Sequence, residues 1–292
     1  MIPGFLARHE TKTLIGPAIL YLTIFSIFPL IYSLGISFFE FNQVKNRWIF
    51  QGVGNYKLIF TDPIFWKALA NTAVMTGVGL FFQVVVGIGL AIFFGQRLKG
   101  GKFVRALLII PMILNPVVVG LMWRALLNPQ WGLINWGLGL VGYHRPPIWL
   151  SDPNWTIWTL IFVDIWQWTP FIFVVVFARY QALPQDVFES ARVDGANSRQ
   201  IFRSITLPLL SSAIVFAAIF RGIDSFRTFD LVYGLTFGGP GRATTNLSFY
   251  SFENGFVYYR YGFSAAIAYV MVIIATIGFS LLLRWMPVRR VE

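Results

Sequence analysis

Long apolar runs separated by short polar stretches set the pattern of this chain. A helix needs about 20 mostly apolar residues to cross a bilayer, and six segments qualify, near 14–38, 68–95, 104–127, 156–178, 209–234 and 263–285. Backbone polar groups in hydrocarbon must be satisfied within the segment, so each run is expected to be an α-helix. The first run is too long for the apolar core of a secretory signal, and no small-residue cleavage site follows it. The pattern predicts an all-α integral membrane protein with one transmembrane domain over residues 1–292.

Composition agrees. Hydrophobic residues make up 57% of the 292 and charged residues 12%, against about 25% charged in soluble chains, and the mean hydropathy is +0.67. Trp48, Trp66, Trp131, Trp149, Trp155 and Trp285 sit near span ends, as interfacial aromatic belts do. The absence of cysteine excludes disulfides, thiolate metal sites and cysteine nucleophiles. His9 and His144 lie in opposite end regions and do not form a ligand pair.

The net charge of +11 follows membrane topology rather than nucleic-acid binding. With the N-terminus inside, thirteen of the 23 Lys and Arg fall in inside segments and eight in outside ones, over far fewer residues inside. The positive-inside bias therefore predicts both termini in the cytoplasm. Arg221 and Arg227 fall within the fifth span.

Outside, 39–67, 128–155 and 235–262 are rich in Trp, Tyr, Gly, Asn and Pro and read as turns and short interfacial helices. Inside, 179–208 is the only sizeable segment. Pro184 suits the first position of a short helix that runs through Val187, Phe188, Ala191 and Arg192. Gly195 offers the permissive backbone of a turn. Ala196 through Ile205 then predicts a second amphipathic helix, with Ile201, Phe202 and Ile205 on one face, closed by Leu207-Pro208. On the residues alone this pair reads equally as an interfacial connector and as a docking element.

Charges inside the membrane are the other candidates. Arg221, Asp224, Arg227 and Asp230 follow at three-residue steps in the fifth span, each displaced by about 60° from the last. Ionisable groups in a bilayer cost at least about 2.5–3.5 kcal/mol each, so they should pair or face a polar interior. The band reads as a self-neutralising ladder or contact to a partner, or as the lining of a hydrated pathway. Asp164, Gln167 and Thr169 surround Trp166 and Trp168 in the fourth span, and Asn115 lies between Pro111 and Pro116 in the third. Such amides, carboxylates and rings suit a hydroxylated solute, and prolines give a pathway shape.

Two motifs are set aside. GLGLVG (137–142) has no strand before it, and GQRLKGGKF (95–103) has the wrong spacing and a Phe where a phosphate-binding loop needs Ser or Thr. The NWT and NLS triplets read as chance glycosylation patterns, and no hydrolase-like residue set appears.

Glu189-Ser190-Ala191, Asp194-Gly195-Ala196, Phe202, Ile205 and Leu207-Pro208 stand at the spacing of EAAxxDGA…F..I.LP, with Ser190 in place of an alanine. The segment resembles the EAA loop of binding-protein-dependent ABC importer permeases. GVGNY with Tyr56, WRALLNPQWGLIN (123–135), WLSDP (149–153), ALP (182–184) and TFGGPG (236–241) are similar to the sugar-importing branch, with its maltose- and glycerol-3-phosphate-type permeases. The likeness extends over nearly the whole chain.

The resemblance implies a type I ABC importer permease fold whose last five spans form the transport core while the first wraps a partner. It implies a non-catalytic subunit in a prokaryotic inner membrane, paired with a second homologous permease and two ATPase subunits and fed by an extracytoplasmic solute-binding protein. ATP and Mg²⁺ would belong to the ATPases, with no cofactor on this chain. Glu189, Ser190, Ala191, Asp194, Gly195 and Ala196 would dock the ATPase, Glu189 pairing with a basic group there. The loops 128–155 and 235–262 would meet the binding protein, and the solute would be carbohydrate- or polyol-like. The rival expectation is an ATP-independent secondary transporter or channel using the Arg/Asp band. A membrane enzyme acting on lipid-linked sugar stands further off.

Overall fold

The computed structural model describes residues 15–43, 45–95, 101–143 and 146–285. Arg8, Lys12, Arg97, Lys99, Arg145, Arg289, Arg290, both histidines and the Trp285 side chain lie outside the described residues. In chain order the elements are α1 (Ile15–Ile36), β1 (Phe39–Asn42), β2 (Arg47–Phe50), α2 (Gly54–Thr61), α3 (Pro63–Gly95), α4 (Gly101–Ile113), α5 (Pro116–Leu126), α6 (Leu133–Leu140), α7 (Pro153–Gln181), α8 (Gln185–Val193), α9 (Ser198–Phe226), α10 (Asp230–Leu235), α11 (Leu247–Phe252) and α12 (Tyr261–Trp285). Among the described residues, α1, α3, α7, α9 and α12 are long and apolar enough to cross a membrane, and α4 with α5 would add a sixth crossing as a bent pair.

The third apolar run is broken, with α4 and α5 meeting at 100°. Pro116 has no N–H to continue the ladder, and its ring disfavours helical backbone at the residue before it. Asn115 accordingly takes an extended conformation and caps α5 by accepting from Val117 N. The freed Leu114 carbonyl accepts from Gln167 Nε2 at 3.1 Å, the kind of substitute partner a broken helix in hydrocarbon requires.

The fifth run departs from expectation at both ends. The helix does not close at Leu207-Pro208. It runs from Ser198 through a π-helical turn at Phe202–Thr206 and on to Phe226. A widened turn there accommodates Pro208, whose ring would collide with the carbonyl four residues back. The helix then stops at Phe226 rather than near 234, with Arg227 as its C-cap, and Asp230 opens α10. Ser248 donates to Arg227 O at 3.0 Å and Asn246 Nδ2 to Thr228 O at 2.5 Å. The carbonyls freed by the break are thus taken up by side chains about 20 residues further on.

The chain divides into two compact units, Met1–Phe65 with Tyr250–Val272, and Trp66–Phe249 with Ile273–Glu292. In the first, β1 and β2 pair antiparallel with Phe39 opposite Phe50 and Phe41 opposite Trp48. Asn55 Nδ2 donates to the Ser37 and Phe39 carbonyls, and Tyr269 Oη donates to Leu30 O. Tyr250 donates to the Asp62 carboxylate. Burial and that carboxylate push its hydroxyl well above its ordinary pKa, so it remains a proton donor.

In the second unit, Ala91, Ile172, Phe173, Val176, Leu183, Phe188, Leu210 and Ala217 form one core from α3, α7, α8 and α9. Close approach of backbones fixes α5 against α10. A Cβ on Gly120 would lie 2.8 Å from Leu235 N, and one on Gly234 would lie 2.6 Å from Val117 O. The loop after α10 is closed by its own polar side chains. Thr244 donates to Gly239 O, Thr245 to Gly238 O, and Asn246 Oδ1 accepts from Phe249 N.

Candidate functional site

Two places in the second unit gather the candidate residues. The first lies where α7 meets α9. Arg221 is 1% exposed, and its guanidinium spans two carboxylates, with Nη2 2.5 Å from Asp164 Oδ1 and Nη1 3.0 Å from Asp224 Oδ2. Asp224 Oδ1 in turn lies 3.4 Å from Arg227 Nη2, whose side chain is 74% exposed. Gln83 Nε2 donates to Asp164 Oδ2 at 2.7 Å and to Asp164 O at 3.1 Å. The guanidinium carbon of Arg221 stands 4.9 Å from the centre of the Trp168 ring, close enough for cation–π attraction. Asp164, Arg221, Asp224 and Arg227 are thus joined in one chain of ion pairs.

The network borders a cavity of about 390 Å³. Its wall is Asp164, Trp168, Asp224, Arg227 and Asp230 together with Pro116, Thr228, Phe229 and Leu231. The Arg/Asp band is therefore no continuous stripe on one helix. Arg221 and Asp224 stand on α9, Arg227 at its cap and Asp230 on the next element, and the break is what folds them around a space. Arg221 itself is buried behind the wall.

Three candidates lie elsewhere. Trp166 packs edge-on against Trp123 at 5.4 Å, because two residues along a helix from Asp164 turn it about 200° away. Trp168, four residues on, shares the face of Asp164. Gln167 is fully buried and serves the α4–α5 break, and Asn115 is spent on capping α5. Gln83 is the participant sequence reasoning missed. Its signal is that it stands alone as an amide in an otherwise apolar stretch, GLFFQVVVGIG.

The second place is the segment 182–208. Pro184 is the N-cap rather than the first residue of α8. Phe188 is buried against Leu183 and Tyr180, while Glu189, Ser190 and Arg192 are exposed. Glu189 has no ion pair among the described residues, and Val193 is 87% exposed at the helix end. The chain then reverses through a Schellman cap, with Ala196 N donating to Ala191 O at 2.9 Å and Gly195 N to Arg192 O at 3.1 Å. Asp194 is the C-cap, and Gly195 takes φ +79°, open to glycine without penalty. Asn197, not Ala196, begins the next helix, in a reciprocal capping box with Gln200.

Comparison with known proteins adds identity to this geometry. Residues 83–288 match the family described as binding-protein-dependent transport system inner membrane component. The chain is 32% identical over 271 residues to the trehalose/maltose transport system permease protein of Thermococcus litoralis, covering 92% of this chain and 90% of the relative. It is 33% identical over 259 residues to the sulfoquinovosyl glycerol transport system permease protein of Agrobacterium fabrum, covering 88% and 84%. In fold it is similar to a chain of the bacterial alginate ABC transporter crystallised with an alginate pentasaccharide-bound periplasmic protein, with a TM-score of 0.83 at 24% identity over 95% of this chain and 94% of that one. This chain belongs to the binding-protein-dependent transport system inner membrane components, as a non-catalytic permease subunit with the type I ABC importer fold.

Proposed function

We propose that this chain passes a carbohydrate- or polyol-like solute across a prokaryotic cytoplasmic membrane, driven by partner ATPases that dock on α8 and the turn after it. The observation that carries the reading is the 185–200 geometry. An exposed short helix with an unpaired carboxylate ends in a glycine-dependent reversal, and its buried side is tied to α7 and α9 through Phe188, Leu183 and Leu210. A push on α8 is delivered to the two helices that carry Asp164, Arg221 and Asp224. The assembly contains a second homologous permease, two ATPase subunits that hold ATP and Mg²⁺, and an extracytoplasmic binding protein that meets the loops at 128–155 and 235–262. Both termini face the cytoplasm.

The solute class rests on two supports. The relatives are named for trehalose/maltose and for sulfoquinovosyl glycerol, and the cavity offers carboxylates, a hydroxyl, an arginine and an indole. Carboxylates accept from sugar hydroxyls, and ring faces take the apolar faces of sugars. An ATP-independent transporter is not favoured. It leaves the 189–208 geometry without a task, and the family depends on a binding protein.

Glu189→Ala tests the coupling. Its side chain is exposed, so stability should change by no more than about 0.5 kcal/mol, while ATPase recovered with the tagged permease from solubilised membranes falls sharply. Gly195→Ala places a side chain at positive φ at a cost of about 1–2 kcal/mol and should reduce the same recovery by distorting the turn. Full ATPase recovery and undiminished uptake in both variants would remove the coupling role.

A further inference from the structure

A second cavity, of about 400 Å³, is walled by four indoles, Trp123, Trp149, Trp155 and Trp158, with Ile134 and Leu138 of α6 among the residues that complete it. Its lining presents no polar surface. The hydroxyl of Thr159 in its wall turns back on the backbone, donating to Trp155 O at 3.0 Å, and Trp149 Nε1 donates to Asn135 Oδ1 at 2.7 Å. A sugar or a peptide placed here would leave its own hydroxyls or amides unpaired, which is costly in an apolar site. Water is disfavoured for the same reason. Apolar cavities of about 150 Å³ stay dry and take up hydrocarbon, and an empty space of this size forfeits the dispersion contacts of its whole wall.

The cavity lies beside an exposed apolar surface. Trp155, Trp158 and Phe162 are exposed on the spanning helix α7, and Leu133, Trp136 and Leu140 on α6. Pro153–Gln181 is a spanning helix of an inner membrane component, so the side of the cavity that it forms adjoins the bilayer. We infer that this cavity holds an acyl chain of a membrane phospholipid, wedged between α5, α6 and α7. The occupant pins α6 to α7 on a face of α7 away from the Asp164–Arg221 network.

The complete importer, purified and exchanged through lipid-free mild detergent, should retain phospholipid bound to this chain when examined by native mass spectrometry. After reconstitution with dibrominated-chain phosphatidylglycerol and a second exchange, the retained lipid should still quench indole emission. Ile134→Phe and Leu138→Phe, together and singly, fill the space and should lose both the retained lipid and the quenching in complexes that still elute intact. Absence of retained phospholipid in the wild-type complex, or equal retention in the filled variants, would overturn the inference. So would loss of the quenching when the binding protein docks, because a protein segment would then be the occupant.

Discussion

Replacing Arg221 with leucine is expected to cost about 3–5 kcal/mol and to abolish recovery of folded permease. The wild-type guanidinium neutralises Asp164, which is itself buried, and steadies Asp224 with a different nitrogen. Its removal leaves the Asp164 carboxylate with only the Gln83 amide as a side-chain partner, and an uncompensated charge away from water is strongly destabilising. Lysine should not rescue, because one ammonium cannot reproduce two hydrogen bonds from separate nitrogens in a fixed fork. The double change Arg221→Met with Asp164→Leu should recover much of the stability, since apolar replacement of a buried pair is often neutral. It should not recover transport, because the cavity loses the Asp164 carboxylate and Asp224 loses its buried arginine partner. Thermal unfolding in detergent and uptake by reconstituted complexes separate the two effects. Normal unfolding of Arg221→Leu would show that the pair does not carry the α7–α9 contact.

The second large effect is expected at Gly234. A methyl group there would sit 2.6 Å from Val117 O and 3.2 Å from Val117 Cα. Both are backbone atoms, so no side chain can rotate away and α10 must move off α5. Overpacking of this kind costs about 1–3 kcal/mol, occasionally more. The functional cost should exceed the loss of stability, because α10 starts at Asp230 and its first residues wall the cavity. Gly278→Ala is the control. Nothing lies within 4 Å of its added Cβ, and alanine in a helix interior should be neutral or slightly stabilising. Reduced uptake in Gly234→Ala with wild-type behaviour in Gly278→Ala is the expected result, and equal uptake in both would contradict the close-approach reading.

Local chemistry made part of this legible in the sequence. The apolar runs mark the helices, because hydrocarbon leaves the backbone no other partner, and Asp194-Gly195-Ala196 announces its reversal, because a cap of that hand needs glycine. The break after Phe226 carries no such mark. Neither proline nor glycine stands at 227–229, and the helix stops there because Asn246 and Ser248 take its carbonyls, a tertiary event invisible to periodicity. The charges then read as one stripe when two elements and a loop present them. The choice between Trp166 and Trp168 was open to geometry, since a four-residue spacing from Asp164 already favours Trp168. The continuity of α9 through Pro208 was hidden because a π-helical turn is not signalled by any residue type.

The most direct measurement is solute uptake by liposomes that contain this permease with its partner permease and ATPases, supplied outside with sugar-loaded binding protein. Uptake should require ATP inside, persist when ionophores collapse the ion gradients, and fall with Glu189→Ala. Uptake that proceeds without ATP and disappears with the gradients would contradict ATP-driven transport and assign the Asp164–Arg221–Asp224 network to ion coupling instead.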